Sequence, residues 1–578
     1  MTTRLMAFQQ ASRPLPDHNR LWPLYGAGLD NLGRNGRALD VPMPQLGPDE
    51  LLVRHDACAL CSSDVKVVRI GEQYPKIRRK MSEKPVVLGH ELSLTVARVG
   101  ANLQETYRVG DRFTMQPDLY IQGVSYAYGV ELQGGLSHYG VVDWHVLKSD
   151  EGNGLVPLPA AVGYVAGALA EPWACVTAAY SLRYRSALKA GGTAWIIGTS
   201  QPLRSVAAGR ASYTIGAGFD AGAHPARVLL THVPAEFEAW LRACAAEVGA
   251  EVIPVEDAGQ PSVPEVDDIV LLGADPGLVE ATSPRLASGG VFAIVADAPM
   301  PRPVHLDVGR IHYNRWTYVG GTDADVSRAY RQHPVRSELK SAGRAWFVGA
   351  GGPMGRMHVQ RAIQISDGPQ TIVCTELNRW RLRELMAALG PDASAKGIEL
   401  IGLDSSDAET CRQGLAPFRA AGFDDIVVLA PVADSVAEAA AYAAPGGVIN
   451  VFAGLARGTT AAVDLSAVYL QQVRYIGQSG SRLEHMRTTL ALTESGRLSP
   501  SRSLAAVGSL DAARDGLKAS AEGVFSGRVV IFPHIRPLAL TALPDLASVL
   551  PSVYTLLKDG REWTPEAEAE FLELMLLD

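Results

Sequence analysis

Arg344-Ala-Trp-Phe-Val-Gly-Ala-Gly-Gly-Pro-Met-Gly355 reads as an apolar strand running into a glycine-rich turn, with a helical pattern from Arg356 onward. Positions without side chains let such a turn approach a pyrophosphate closely, and the N-terminus of the next helix favours its charge. Gly352 and Gly355 keep a GxxG ending, Gly349 or Ala350 opens the turn, and the loop is one residue longer than GxGxxG. A second strand, Thr371-Ile-Val-Cys-Thr375, ends in Glu376, 21 residues beyond Gly355. At that separation a carboxylate meets the adenosine ribose, where it hydrogen-bonds a 2′-hydroxyl and repels a 2′-phosphate. NAD is therefore expected in preference to NADP. The candidate cofactor residues are Gly349, Gly351, Gly352, Pro353, Met354, Gly355 and Glu376.

Upstream of this loop the same alternation of strands and helices occurs once before. Asp267-Asp-Ile-Val-Leu-Leu272 returns as Asp424-Asp-Ile-Val-Val-Leu429, Gly289-Gly-Val-Phe292 as Gly446-Gly-Val-Ile449, and Tyr318-Val-Gly320 as Tyr475-Ile-Gly477, each 157 positions later. The strand openings Ala194-Trp195 and Ala345-Trp346 lie 151 apart. Matches in register argue for a duplicated βαβ domain with a parallel sheet. The first copy has lost the loop: Gly198-Thr-Ser-Gln-Pro-Leu-Arg204 sets Ser200, Gln201 and Arg204 where Gly351, Gly352 and Gly355 stand, and His232 falls opposite Glu376. Side chains there block backbone approach to phosphates, so the first copy is expected to be structural.

The 578 residues suggest about four domain-sized units. A 47% hydrophobic and 20% charged composition is that of a globular chain. The net charge of −8 excludes the basic excess of a nucleic-acid binder. Six scattered cysteines make no disulfide framework. The N-terminal residues lack the apolar core of a signal peptide, and no run of about eighteen apolar residues occurs. The expectation is a protein of the reducing cytoplasm with no membrane partner.

Residues 40–146 read as short strands punctuated by Gly and Pro, an all-β domain. Within and just after it stand Cys58-Ala-Leu-Cys61-Ser-Ser-Asp64, Gly89-His-Glu91 and Glu171-Pro172. A catalytic zinc takes about three S, N and O ligands and keeps one position open. Cys61, His90 and one or both of Glu91 and Glu171 supply such a set, and Asp64 is placed to accept the second imidazole hydrogen of His90. A CxxC reading of Cys58 and Cys61 lacks the second pair a structural site needs.

These residues, with Val109-Gly-Asp-Arg112, Gly134-Gly135 and Tyr139, resemble the zinc-dependent medium-chain dehydrogenases, the family of alcohol, sorbitol and threonine dehydrogenases. The resemblance covers residues 40–200 and 340–535. It implies a GroES-like catalytic domain in which Cys61 and His90 bind the catalytic zinc, Glu171 is a ligand directly or through water, and Glu91 lies beside the metal and can join it. Ser63 matches the hydroxyl that takes the substrate's proton. The catalytic candidates are thus Cys61, Ser63, Asp64, His90, Glu91 and Glu171. Residues 97–135 hold no cysteine, so one zinc and no structural zinc are expected. Lys66 stands where the family often has a relay histidine. The loop GAGGPMG and Lys84-Pro-Val-Val-Leu-Gly-His-Glu91 look most like the sorbose-1-phosphate reductase branch, which implies a polyol or sugar substrate, phosphorylated or not.

The expected plan is α/β: residues 1–185 the first part of the GroES-like domain, 186–340 a degenerate Rossmann-like domain, 341–485 the NAD-binding Rossmann domain, 486–535 a return segment of the catalytic domain, read as strand-like over 503–533, and 536–578 a helical tail. The two doubly wound units are expected to pair late strands, Arg315-Trp-Thr-Tyr-Val-Gly320 against Arg474-Tyr-Ile-Gly477, as an intrachain pseudo-dimer; a homodimer is the alternative. The activity implied is hydride transfer between a nicotinamide and an alcohol or carbonyl. The rival reading is a non-catalytic dinucleotide sensor or scaffold that kept the fold.

Overall fold

In the computed structural model, which describes residues 4–182, 184–259, 263–331 and 336–577, twelve strands from the two sequence repeats join in one sheet. The first repeat contributes β1 (Thr193–Gly198), β2 (Arg227–Thr231), β3 (Glu251–Pro254), β4 (Val266–Leu272), β5 (Leu286–Val295) and β6 (Thr317–Gly321). The second contributes β7 (Arg344–Val348), β8 (Thr371–Glu376), β9 (Glu399–Asp404), β10 (Phe423–Val428), β11 (Ala443–Val451) and β12 (Arg474–Ile476). The order is 3-2-1-4-5-6-12-11-10-7-8-9. Each half has the doubly wound order 3-2-1-4-5-6 with parallel pairing.

The halves meet antiparallel through β6 and β12, with Tyr318 opposite Tyr475. These are equivalent positions of the two repeats. The strands Val304–Asp307 and Thr460–Val463 also pair antiparallel, with His305 opposite Ala462, again 157 apart. Val304 faces Val463 and Leu306 faces Ala461, so exchanging the repeats maps each contact onto the other. Self-equivalent pairs in two places define a pseudo-twofold axis through this junction. One apolar core, from Trp195, Leu271 and Phe292 to Trp346, Val428 and Ile449, runs through both halves.

The duplication also extends to ionic contacts. Asp268 accepts from Arg185 and the Lys189 backbone, and Asp267 from Lys189 Nζ and the Thr193 backbone. Asp425 and Asp424 repeat this with Arg336, Lys340 and Arg344, at 2.5–2.9 Å. Trp195 Nε1 donates to Thr231 Oγ1 at 2.9 Å, and Trp346 Nε1 to Thr375 Oγ1 at 3.1 Å.

Contacts divide the chain into two units. The twelve-stranded sheet lies in the unit formed by Ala179–Gly351 and His358–Ser479; Met1–Ala178, Gly352–Met357 and Gly480–Asp578 form the other. The latter is built on an eight-stranded sheet. Its strand Leu51–Ala59 is buried at every position. It pairs with Glu91–Val99 on one side and, on the other, with Arg528–Phe532, which returns from far along the chain. The return segment is not all strand: Ala513–Glu522 is a helix between two strands. Its buried Ala513, Gly516, Leu517 and Ala519 recur at helical spacing, but small residues leave that period weak in the sequence. Among the described residues no helix is long and apolar enough to cross a membrane.

Candidate active site

Cys61 ends the run of strand Leu51–Ala59 and is the N-cap of the helix Ser62–Ile70. Asp64, three residues on, returns its carboxylate to the Cys61 backbone N–H at 2.9 Å. This reciprocal capping fixes the cysteine at the helix entrance. The other Asp64 oxygen accepts from the Gly89 backbone at 3.3 Å and from His90 Nδ1 at 3.2 Å. One buried carboxylate thus ties the two segments together. It also holds the ring by Nδ1 and turns Nε2 toward Cys61 and Ser63, the nitrogen a metal ligand uses.

Gly89 has φ +99°, and a Cβ there would stand 2.5 Å from Cys58 Sγ. Gly134 packs against the same turn, where a Cβ would lie 2.4 Å from the Leu88 carbonyl. The backbone N–H groups of Gly134, Gly135 and Leu136 donate to Val87, Gly89 and Leu88. The glycine pair therefore forms the floor under the histidine turn.

Ligand atoms of Cys61, His90 and Glu91 lie within 4.8 Å of one another, the one such group of three among the described residues. Glu91 is fully buried, and neither of its carboxylate oxygens has a hydrogen-bond partner. Arg528 faces it at 3.1 Å. Burial raises the Cys61 thiol, but His90, by charge and a hydrogen bond, and Arg528 outweigh burial and hold it well below its ordinary value. Burial lowers His90, and Asp64 and Cys61 more than reverse this. Burial drives Glu91 well up despite Arg528. A thiolate, an imidazole and a buried carboxylate that no hydrogen bond satisfies are the donor set of zinc, and a dication relieves the negative charge gathered there. The residues fit the metal.

Ser63 Oγ is 3.2 Å from His90 Nε2, beside the position a metal would take. Glu171, in the first turn of the helix Ala170–Ala179, stands outside the tight group of three. Its Oε1 accepts from the Cys175 thiol one turn on, at 3.5 Å. Burial raises its pKa, and charges on His90 and Cys61 act on it. Cys58 is fully buried with its thiol turned to its neighbour's carbonyl, so it does not join Cys61. Sequence reasoning passed over Arg528 and Cys175. A single arginine opening the wholly apolar run Val529-Val-Ile-Phe532 was the available signal, because a buried charge there requires an acidic partner.

The glycine loop follows β7 and leads into the helix Pro353–Gln364, with Pro353 at its first position and Gly355 within its first turn. Gly349 has φ +80° and sits against Ala430. Gly351 donates its N–H to Glu376 Oε2 at 2.8 Å, and Glu376 Oε1 accepts from Asn378 at 3.0 Å. A Cβ on Gly352 would meet nothing within 4 Å, the open space a phosphate requires. Met354 Sδ lies 3.1 Å from Arg528 Nη2. In the first repeat the corresponding helix is only the four residues Arg204–Ala207, and Asp297 accepts from the Arg204 backbone N–H at 3.0 Å. A carboxylate already occupies the place where a phosphate would bond.

Residues 47–151 match the alcohol dehydrogenase GroES-like domain. The mannitol-1-phosphate 5-dehydrogenase of Aliivibrio fischeri is 23% identical, with 92% of this chain and 93% of that protein covered. The L-sorbose 1-phosphate reductase of Klebsiella pneumoniae is 27% identical over 40% of this chain and 56% of its own. Among solved structures, 2R,3R-butanediol dehydrogenase from Bacillus subtilis shares the fold, with TM-score 0.51 and 15% identity, covering 89% of this chain and 99% of that one. The chain is similar to zinc-dependent medium-chain dehydrogenases and carries their GroES-like domain over residues 47–151. It is a zinc oxidoreductase that uses a nicotinamide cofactor.

Proposed function

We propose that the chain is an NAD-dependent dehydrogenase of polyols or sugar alcohols, with phosphorylated polyols as the first candidates, and that Cys61, His90 and Glu91 hold one catalytic zinc with Glu171 as a further or water-borne ligand. The observation that carries this is the buried group of three with Asp64 behind His90 and Ser63 in front of it. A bound zinc supplies Lewis acidity toward the alcohol oxygen, and the nicotinamide takes up hydride. Ser63 Oγ is the hydroxyl that would relay the alcohol proton, accepting it while its own hydrogen passes on to solvent. Asp64 keeps Nε2 of His90 free for the metal through its bond to Nδ1. Glu91 answers charge changes at the site, balanced by Arg528. The substrates of the mannitol-1-phosphate and sorbose-1-phosphate relatives support the phosphorylated class.

Glu376 supports NAD. Its carboxylate is fixed at the end of β8 by Gly351 and Asn378, where a 2′-phosphate would meet like charge. The deciding experiment pairs metal analysis with a panel of polyols and polyol phosphates, read as reduced-nicotinamide absorbance with NAD and with NADP. One zinc per chain and turnover of a polyol phosphate with NAD are expected. Metal-loaded protein that turns over none of the panel with either cofactor rejects the reading.

We further infer that the chain works as an intrachain pseudo-dimer, a monomer whose first repeat supplies the edge that β12 would otherwise expose. The pseudo-twofold pairing of Tyr318 with Tyr475 and of His305 with Ala462 supports it.

A further inference from the structure

The trio of Cys61, His90 and Glu91 is set by adjoining segments, but Glu171 and Arg528 arrive on elements far apart in the chain. We propose that the C-terminal helix Pro565–Met575, with Trp563 just before it, is the positioning element for both: Glu568 fixes the helices leading to Glu171, and Phe571 with Trp563 fixes the strand that carries Arg528. This rests on the reading of that site as a metal centre.

Glu568 is 6% exposed, yet both of its oxygens are bonded. Oε1 accepts from the Tyr164 backbone at 2.5 Å, and Oε2 from Val165 at 2.9 Å and Trp563 Nε1 at 3.3 Å. These are the orphan donors at the start of the helix Tyr164–Ala168, whose own N-cap, Gly163, has no side chain to offer. A Cβ at Gly163 would stand 2.6 Å from Glu568 Oε1. Gly163 thus gives up the capping place to a residue some 400 positions later in the chain. The capped turn is continuous with the next helix. Leu169 N–H donates to the Val165 carbonyl and Trp173 N–H to the Leu169 carbonyl, so the ladder crosses into Ala170–Ala179, where Glu171 sits in the first turn.

The same tail touches the second element. Phe571 packs 5.0 Å and Trp563 6.3 Å from the ring of Phe532, which ends the strand begun by Arg528. Past that strand, the Arg536 backbone donates to the Met575 carbonyl at 2.7 Å and Ile535 bridges Leu576, closing the loop. Glu573 caps the N-terminal helix Arg4–Gln9 through Arg4 and Leu5, and Phe8 of that helix meets Tyr164 edge-on at 5.8 Å.

The test uses the full chain loaded with cobalt(II) in place of zinc. In Glu568→Ala, transfer of cobalt to a chelator should be about tenfold faster, as for other residues that orient ligands. The visible cobalt bands should shift, and NADH affinity by fluorescence should stay within about twofold of the parent. Glu568→Gln keeps one acceptor and should fall between; it decides the matter alone if the alanine variant does not fold. Phe571→Ala should speed cobalt loss with a smaller spectral change. A folded Glu568 variant with the parent's cobalt spectrum and chelation rate overturns the proposal, even with a lowered Tm. A parent protein that binds no cobalt or zinc overturns the metal reading itself.

Discussion

At the scale of single residues the site works through shared hydrogen bonds. Asp64 serves as helix cap, as acceptor from the Gly89 turn and as orienter of His90, so three functions depend on one carboxylate. Cys61→Ser and His90→Ala should each release the metal and abolish turnover while the fold persists, checked by metal analysis beside circular dichroism. Away from the site, His55 is fully buried between Tyr128 OH at 2.8 Å and the Ser137 carbonyl at 3.1 Å. Burial lowers its pKa to about 4. His138 is likewise lowered to about 4 by burial and Arg20, and its ring lies tilted against His534 at 4.7 Å. The unfolded chain protonates these rings near pH 6.5, well before the folded one does. Their neutral, folded-state stabilisation is therefore intact above about pH 6.5 and is lost as pH falls toward 4. The Tm should drop between pH 7 and pH 5, and His55→Gln should make that drop shallower.

At the scale of elements, the two copies show what a dinucleotide loop requires. Both have the strand, the Trp–Thr hydrogen bond and the paired aspartates at the strand's foot. Only the second keeps glycine at all of 351, 352 and 355 and a twelve-residue helix behind the turn. The first has a one-turn helix already capped by Asp297. Gly355→Arg should abolish NADH binding by filling the phosphate approach, whereas Arg204→Gly should leave the affinity measured by calorimetry within about twofold of the parent.

At the scale of the whole molecule, duplication converts a self-complementary edge contact into an intramolecular one. Sheet edges left open invite pairing with other chains. Here β6 and β12 cover each other, and linkage makes that contact independent of protein concentration. Light scattering should give the single-chain mass of 61.6 kDa across a hundredfold range of concentration. A mass of two chains at micromolar protein counts against the pseudo-dimer.

The sequence by itself determined whatever depends on local spacing. Glycines in the 349–355 loop, Glu376 at the strand end and the 157-residue repeat are all legible, because each is one backbone conformation or one period written in the chain itself. Thr564, which caps the tail helix by accepting from Ala567, belongs to the same class. Only the tertiary structure decided the partners that lie far along the chain. Arg528 meets Glu91 more than 400 positions away because the strands that carry them flank Leu51–Ala59 in one sheet. Glu568 caps a helix that begins beside a glycine, and the capping signal is read only within a few residues of a helix start. Such contacts have no sequence period, since a buried carboxylate needs donors in space and is indifferent to where along the chain they come from.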